Sequence, residues 1–309
     1  MKVSTKKFKL FTKYLLIALT LFLAFFDFGL SLLIVLITNI PLIRKSIFGR
    51  LVLDTQETPW SKVETHQYMP KKLLDVFYPR TENISGVVVF AHGGGWISGY
   101  RRQPNNMSWY RFLVSQGFIV ATIEYSRGYI QEIEKLVEEL TNAVLFLRKK
   151  FGDSYKGQFS LMGLSAGGHL ALLVSLRYLD LVDKVVAYYA PCDLIDIWES
   201  ESVFARFSVM ATIKRLPSRS KEIYEKYSPI NYVTSSCPRI LLVHGIKDCV
   251  VPYTSSLKMF KKLRESGNIA KLMLHPKGDH GFEFVLKDQR TIQILQETIK
   301  FLSRDLSSS

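Results

Sequence analysis

Hydrophobic and polar positions divide the chain into three regimes. Positions 14–43 are apolar almost without interruption, with Asp27 as the one charge. Positions 44–60 turn polar. From 61 onward, short β-branched runs alternate with stretches in which apolar residues recur every three or four positions. The runs predict strands over 63–68 and 73–78, an opening pair broken at Pro70, then over 86–91, 118–124, 158–162, 184–190, 239–244 and 270–275. The periodic stretches predict helices over 107–116, 130–150, 166–176, 253–266 and 291–302. The second helix is the most regular, with Ile133, Leu136, Val137, Leu140, Val144 and Leu147 on one side. Such alternation predicts an α/β fold: a mostly parallel central sheet with helices on both faces. Residues 193–233 break the rhythm and are expected to form a small helical cap.

The apolar segment at the start reads as a single transmembrane helix. At ~1.5 Å per residue a helix over 14–43 is longer than the ~30 Å hydrocarbon layer, so it spans with tilt or a kink. A cleaved signal peptide would have a shorter core and a small-residue cleavage site. A hairpin broken at 26–29 would leave each arm short of ~20 residues. Asp27 is costly facing lipid and is expected to face water, the interface or a partner helix. Lys2, Lys6, Lys7, Lys9 and Lys13 precede the segment, and Arg44, Lys45 and Arg50 follow it. That bias puts the N-terminus in the cytoplasm and the rest of the chain outside, although Lys62, Lys71 and Lys72 also lie downstream. The expected organisation is a membrane anchor over 1–43, a linker over 44–60, and one domain over 61–309. Two sequons, Asn83-Ile84-Ser85 and Asn106-Met107-Ser108, matter in a glycosylating compartment.

Composition changes this picture little. The chain has 309 residues, 48% hydrophobic and 22% charged, which is ordinary for a packed domain and argues against wholesale disorder. The net charge of +14 comes from scattered Lys and Arg, with clusters in the first thirteen residues and over 214–226. No basic stripe is interleaved with aromatics, so a solvated surface near anionic lipid is expected rather than nucleic-acid binding. Cys192, Cys237 and Cys249 form no CxxC or Cys/His metal spacing, so neither a disulfide framework nor a metal site is expected. Cys249 is expected to be small and partly buried.

The strongest chemical signal is Gly163-Leu164-Ser165-Ala166-Gly167, placed between a predicted strand and a predicted helix. A serine on a sharp strand-to-helix turn needs small neighbours two residues away on each side, and the turn lifts its hydroxyl clear of the sheet. The helix N-terminus behind it favours developing negative charge. A second signal is His92-Gly93-Gly94-Gly95-Trp96 after the strand at 86–91. Acyl transfer creates an oxyanion, and consecutive glycines let backbone N–H groups turn towards it. The amides of Gly93, Gly94, Gly95 and Ala166 are therefore the candidate oxyanion hole. Losing one such donor raises the barrier by roughly 3 kcal/mol. His92 and Trp96 read as residues that fix this loop.

A serine hydroxyl needs an adjacent base, itself held by a carboxylate. On this kind of sheet the order along the chain is serine, acid, histidine. Of six histidines, His66, His92 and His169 adjoin the wrong elements, His244 ends a strand and His275 lies inside one. His280 remains, in a glycine-flanked turn after the last strand. Asp248 follows the strand at 239–244 and is the leading acid; Asp279, next to His280, is the second choice.

These residues resemble the α/β-hydrolase superfamily, and more narrowly its HGGG-type carboxylesterases and hormone-sensitive-lipase-like members. The resemblance covers roughly 63–302. It is carried by HGGGW at 92–96, GLSAGGHLA at 163–171, YSPI at 227–230, LLVHGIKDCVVP at 241–252 and GDHGF at 278–282. Leu164 stands where the hormone-sensitive-lipase-like group carries an aspartate, which is closer to BD-FAE and arylformamidase-like neighbours. The resemblance implies an α/β-hydrolase fold and a serine esterase, which the apolar segment over 14–43 would anchor to the membrane. Ser165 would be the nucleophile, Asp248 the acid and His280 the base, with no cofactor. The implied partner is a small-molecule ester with an apolar part. Phe204, Phe207, Val209, Met210 and Ile213 either line an acyl pocket or pack the cap. An arylformamidase or amidase, and a non-catalytic ligand-binding protein of the same fold, are the alternatives.

Overall fold

The computed structural model describes residues 15, 48–55, 57–152 and 157–303. The chain divides into two compact units, Met1–Gly49 and Arg50–Ser309. Apart from Leu15, the anchor expected over 1–43 lies outside the described residues. Among the described residues no helix is long and apolar enough to cross a membrane.

The second unit is built on an eight-stranded sheet. Its strands are β1 (Trp60–Met69), β2 (Lys72–Pro79), β3 (Gly86–Ala91), β4 (Phe118–Ile123), β5 (Phe159–Leu164), β6 (Lys184–Tyr188), β7 (Arg239–Gly245) and β8 (Ala270–His275). The spatial order is β1-β2-β4-β3-β5-β6-β7-β8. β1 and β2 form an antiparallel hairpin and β2 runs antiparallel to β4. The remaining pairs are all parallel. β3, β4, β5 and β6 are buried along their whole length, as their continuous apolar runs require of central parallel strands.

Each strand shares its residues between two cores. In β3, Val87, Val89 and Ala91 point into one and Val88 and Phe90 into the other, the two-residue period of a pleat. The first core is covered by α2 (Ile133–Phe151), α3 (Ala166–Arg177) and α7 (Thr254–Glu265). The second is covered by α1 (Pro104–Ser115) and α8 (Gln289–Ser303). Helices thus lie on both faces, and each buried leucine or valine contributes roughly 1.5–3 kcal/mol relative to exposure.

Local chemistry explains where elements depart from the hydrophobic pattern. α1 begins three residues earlier than expected because Pro104 occupies the first helical turn, where its missing N–H is harmless. α2 begins at Ile133 rather than 130: the Ile130 and Gln131 amides both donate to the Arg127 carbonyl, closing a turn first. β6 stops at Tyr188 because Tyr189 has φ 38° and swings the chain out of the strand.

Residues 193–233 hold α4 (Leu194–Glu199), α5 (Val203–Ile213), α6 (Pro217–Lys226) and a 3₁₀ turn at Pro229–Tyr232. The Asp193 side chain accepts from the Ile195 amide and Ser202 Oγ from the Ala205 amide, capping the first two helices.

Candidate active site

β3, β5, β7 and β8 are parallel neighbours through β6, so their carboxyl ends lie along one edge of the sheet. All the residues singled out by chemistry fall just past those ends. Ser165 follows β5 and precedes α3, with φ 52° and ψ −119°. A residue with a Cβ rarely occupies this region, and holding it there costs on the order of 1–3 kcal/mol. The turn is closed by the Ser165 amide donating to the Tyr188 carbonyl at 2.9 Å. Its tightness explains the two glycines. A Cβ on Gly163 would collide with the Gly167 carbonyl, and one on Gly167 with the Ala91 carbonyl at the end of β3.

Hydrogen bonds link three side chains in a line. His280 Nε2 lies 3.0 Å from Ser165 Oγ, and His280 Nδ1 lies 2.8 Å from Asp248 Oδ2. A carboxylate can only accept, so Nδ1–H donates to Asp248 and the Nε2 lone pair faces the serine hydroxyl. The structure therefore brings Asp248, and not Asp279, to the imidazole. Asp279 Oδ1 instead accepts from the Cys249 amide at 3.0 Å and the His280 amide at 2.7 Å, joining the turns that carry Asp248 and His280. Cys249, expected to be partly buried, is exposed in this turn.

Asp248 is also held from behind. Its Oδ1 accepts from the Val250 and Val251 amides, each at 2.8 Å. The fully buried His244 places Nε2 3.2 Å from Oδ2 and 2.9 Å from the Val251 carbonyl. Burial raises the Asp248 pKa. The His280 charge and the hydrogen bonds from His244 and His280 outweigh it and hold the carboxyl well below the usual range. For His280, burial works against protonation, but the Asp248 charge and hydrogen bond, with Glu283 and Asp279 adding, raise it above an ordinary histidine.

The glycine loop sits against the serine. A Cβ on Gly93 would lie 3.1 Å from the Leu164 carbonyl and 3.6 Å from Ser165 Cβ. Gly94 and Gly95 have φ 126° and 59°. Ala166 is the first residue of α3, where the amide has no carbonyl one turn back to bond. His92 and Trp96 hold the loop. The His92 ring stacks on Tyr125 at 4.1 Å and its Nδ1 lies 2.8 Å from the Gly93 carbonyl. Trp96 Nε1 donates to His169 Nδ1 at 3.2 Å, and His169 Nε2 donates to the Tyr227 carbonyl at 2.8 Å. Burial lowers the pKa of both His92 and His169 to about 4, so both are neutral struts.

A narrow cleft of ≈ 10 Å³ opens beside Ser165 between the cap and the sheet edge, room for about one water molecule. Of the five cap residues expected to line an acyl pocket or pack the cap, only Phe204 reaches this cleft. Val209 and Ile213 belong to the core, Phe207 is exposed, and Met210 is not among the lining residues. The other apolar walls include Pro191, Ile197, Val250 and Val251. Nothing in the sequence singles these residues out as walls of a cleft, and only the topology shows that they converge. Among the described residues, no group of three or more His, Cys, Asp and Glu side chains is arranged to hold a metal ion.

This sheet order, with a strained serine after the fifth strand, a histidine after the last and an acid after the one before, defines the α/β-hydrolase fold. The chain belongs to the BD-FAE family, whose model matches residues 74–263, a span that includes Ser165 and Asp248. The Pyrobaculum calidifontis esterase superposes with a TM-score of 0.68 at 18% identity, covering 86% of this chain and 89% of the esterase. In sequence, the chain is 28% identical to Esterase LipC of Mycobacterium tuberculosis over 241 residues, 70% of this chain and 58% of that protein. It is 29% identical to the probable isoprenylcysteine alpha-carbonyl methylesterase ICME of Oryza sativa subsp. japonica over 234 residues, 68% of this chain and 55% of that protein. The chain thus matches little more than half the length of these two relatives.

Proposed function

We propose that this chain is a carboxylic ester hydrolase acting through an acyl-enzyme on Ser165. The observation that carries the reading is the unbroken hydrogen-bonded line from Ser165 Oγ through His280 to Asp248. His280 Nε2 takes the hydroxyl proton as Ser165 attacks the ester carbonyl, and Asp248 stabilises the imidazolium that forms. The amides of Gly93, Gly94, Gly95 and Ala166 receive the oxyanion, helped by the positive end of α3. The imidazolium gives its proton to the departing alcohol. Water, activated by the same histidine, then releases the acid. The apolar walls of the cleft suit an ester with an apolar part, and the esterase names of the relatives support an ester over an amide.

The apolar segment 14–43 and the basic residues before it support a single-pass membrane anchor with the hydrolase unit outside the cytoplasm. The test of the catalytic reading is hydrolysis of p-nitrophenyl esters by the wild type, Ser165→Ala and His280→Ala, with an arylformamide as control. Loss of ester hydrolysis in both variants is expected. A folded His280→Ala protein with full activity would remove the base assignment. Faster turnover of the formamide than of every ester would favour the amidase alternative.

A further inference from the structure

Behind His280 lies a second acid that the hydrolytic cycle above does not use. Glu283 sits three residues after His280, in a 3₁₀ turn at Phe282–Phe284. The turn is pinned by the Phe282 amide on the Asp279 carbonyl and the Phe284 amide on the Gly281 carbonyl, each at 3.1 Å. Glu283 is completely buried. Its Oε1 accepts the Tyr189 hydroxyl at 2.6 Å. Its Oε2 has no hydrogen-bond partner of good geometry among the described residues. The Trp109 indole N–H, which also lacks one, faces the same carboxyl.

Tyr189 connects this carboxyl to the site. Its ring lies 4.5 Å from the His280 ring, tilted by 54°. Tyr189 reaches that place only through an unfavourable backbone: φ is 38°, an outlier for a bulky residue. Its amide donates to the Val243 carbonyl at 2.7 Å, which fixes the turn.

A fully buried carboxyl with one well-made hydrogen bond, from Tyr189, and only the poorly aligned Trp109 N–H facing it besides is expensive, and a glutamine or an apolar residue of similar volume would fill the space at lower cost. We propose that Glu283 is a positioning residue for His280, holding Tyr189 against the imidazole and placing a second buried negative charge behind it. This proposal rests on the catalytic reading of His280. Burial pushes the Glu283 carboxyl up to about 7, opposed by the Tyr189 hydroxyl, its own backbone amide and the His280 charge. Glu283 therefore gains its charge as the pH rises through about 7, and the charges of Glu283 and His280 each favour the other. The groups facing His280 are Asp248 and Ser165 by hydrogen bond, Tyr189 by its ring, and Asp279 and Glu283 by charge. Beyond Asp248 lies His244. Asp248 orients the ring, and Glu283 adds to the stabilisation of the imidazolium formed as the serine attacks.

The experiment is the pH profile of kcat/KM for a short p-nitrophenyl ester in wild type and Glu283→Gln, an isostere that keeps a partner for the Tyr189 hydroxyl. Removing the charge lets His280 lose its proton more easily. The acid limb is expected to move to lower pH by about half a unit or more, with kcat down several-fold and KM unchanged. Tyr189→Phe keeps the ring and deletes the link, leaving Glu283 uncharged to higher pH, and is expected to move the limb the same way. It stands as the second reading if Glu283→Gln folds poorly. An acid limb that stays in place in the folded variants, whether or not the rate falls, would overturn the proposal and leave the catalytic reading intact. A wild type without esterase activity would overturn both.

Discussion

The strain at Ser165 has a consequence for stability that can be separated from chemistry. Ser165→Ala deletes the hydroxyl and its 3.0 Å bond to His280 but keeps a Cβ at φ 52°, ψ −119°. Ser165→Gly deletes the same hydroxyl and also removes the Cβ that makes this conformation unfavourable. The strain released is about 1–3 kcal/mol. The extra freedom of glycine in the unfolded chain takes back about 0.5–1 kcal/mol. Glycine should therefore be more stable than alanine by about 1 kcal/mol. For a unit of ~250 residues that corresponds to a melting-point difference of roughly 2–4 °C. The comparison is made by urea denaturation and scanning calorimetry of the two variants side by side. If Ser165→Gly melts at or below Ser165→Ala, the turn is not strained in the way its dihedral angles imply, and the reasoning fails.

Other outcomes follow from the same geometry. Asp248→Asn is expected to lower kcat by about 10⁴, because the amide cannot hold His280 in the required tautomer. Asp279→Asn should cost far less, and equal losses in the two would return Asp279 to candidacy. The Glu283 carboxyl is raised from its ordinary 4.5 to about 7 in the folded protein, so the folded state binds the proton more tightly. The contribution to stability is full below pH 4.5 and is lost as pH rises through 7, a change of roughly 3 kcal/mol. Glu283→Gln should consequently gain stability over wild type on going from pH 5 to pH 8, measured by urea midpoint; an unchanged difference would refute it. Phe204→Ala should widen the cleft and shift kcat/KM towards longer acyl chains, about tenfold or more per added methylene accommodated. An unaltered chain-length profile would show that Phe204 does not bound the acyl site.

Much of this site was legible in the sequence because its physics is local. The serine turn demands Gly163 and Gly167 within two residues, and the loop after β3 packs its glycines too closely for a Cβ at Gly94 and Gly95, so both leave motifs. The sheet was legible for a related reason: strands such as β3 are buried on both faces and read as unbroken apolar runs. Asp248 and His280 needed one rule of chain order in addition. What stayed hidden depends on distant segments meeting. Tyr189 and Glu283 are far apart in sequence: Tyr189 read as part of the strand expected over 184–190, and Glu283 follows the GDHGF motif without belonging to it. Ile197, Val250 and Val251 line the cleft only because α4 and the turn after β7 converge on Ser165. The two sequons also differ in a way that only the fold shows: Asn106 is buried in α1, whereas Asn83 is exposed.

The most direct measurement is covalent. Folded wild-type protein is treated with a fluorophosphonate probe, digested, and the adduct located by mass spectrometry, with Ser165→Ala and His280→Ala alongside. We expect a single adduct on Ser165 in the wild type, none in Ser165→Ala, and labelling slowed by orders of magnitude in His280→Ala. An adduct elsewhere, equal labelling of Ser165→Ala, or no labelling of the folded wild type would contradict Ser165 as the nucleophile.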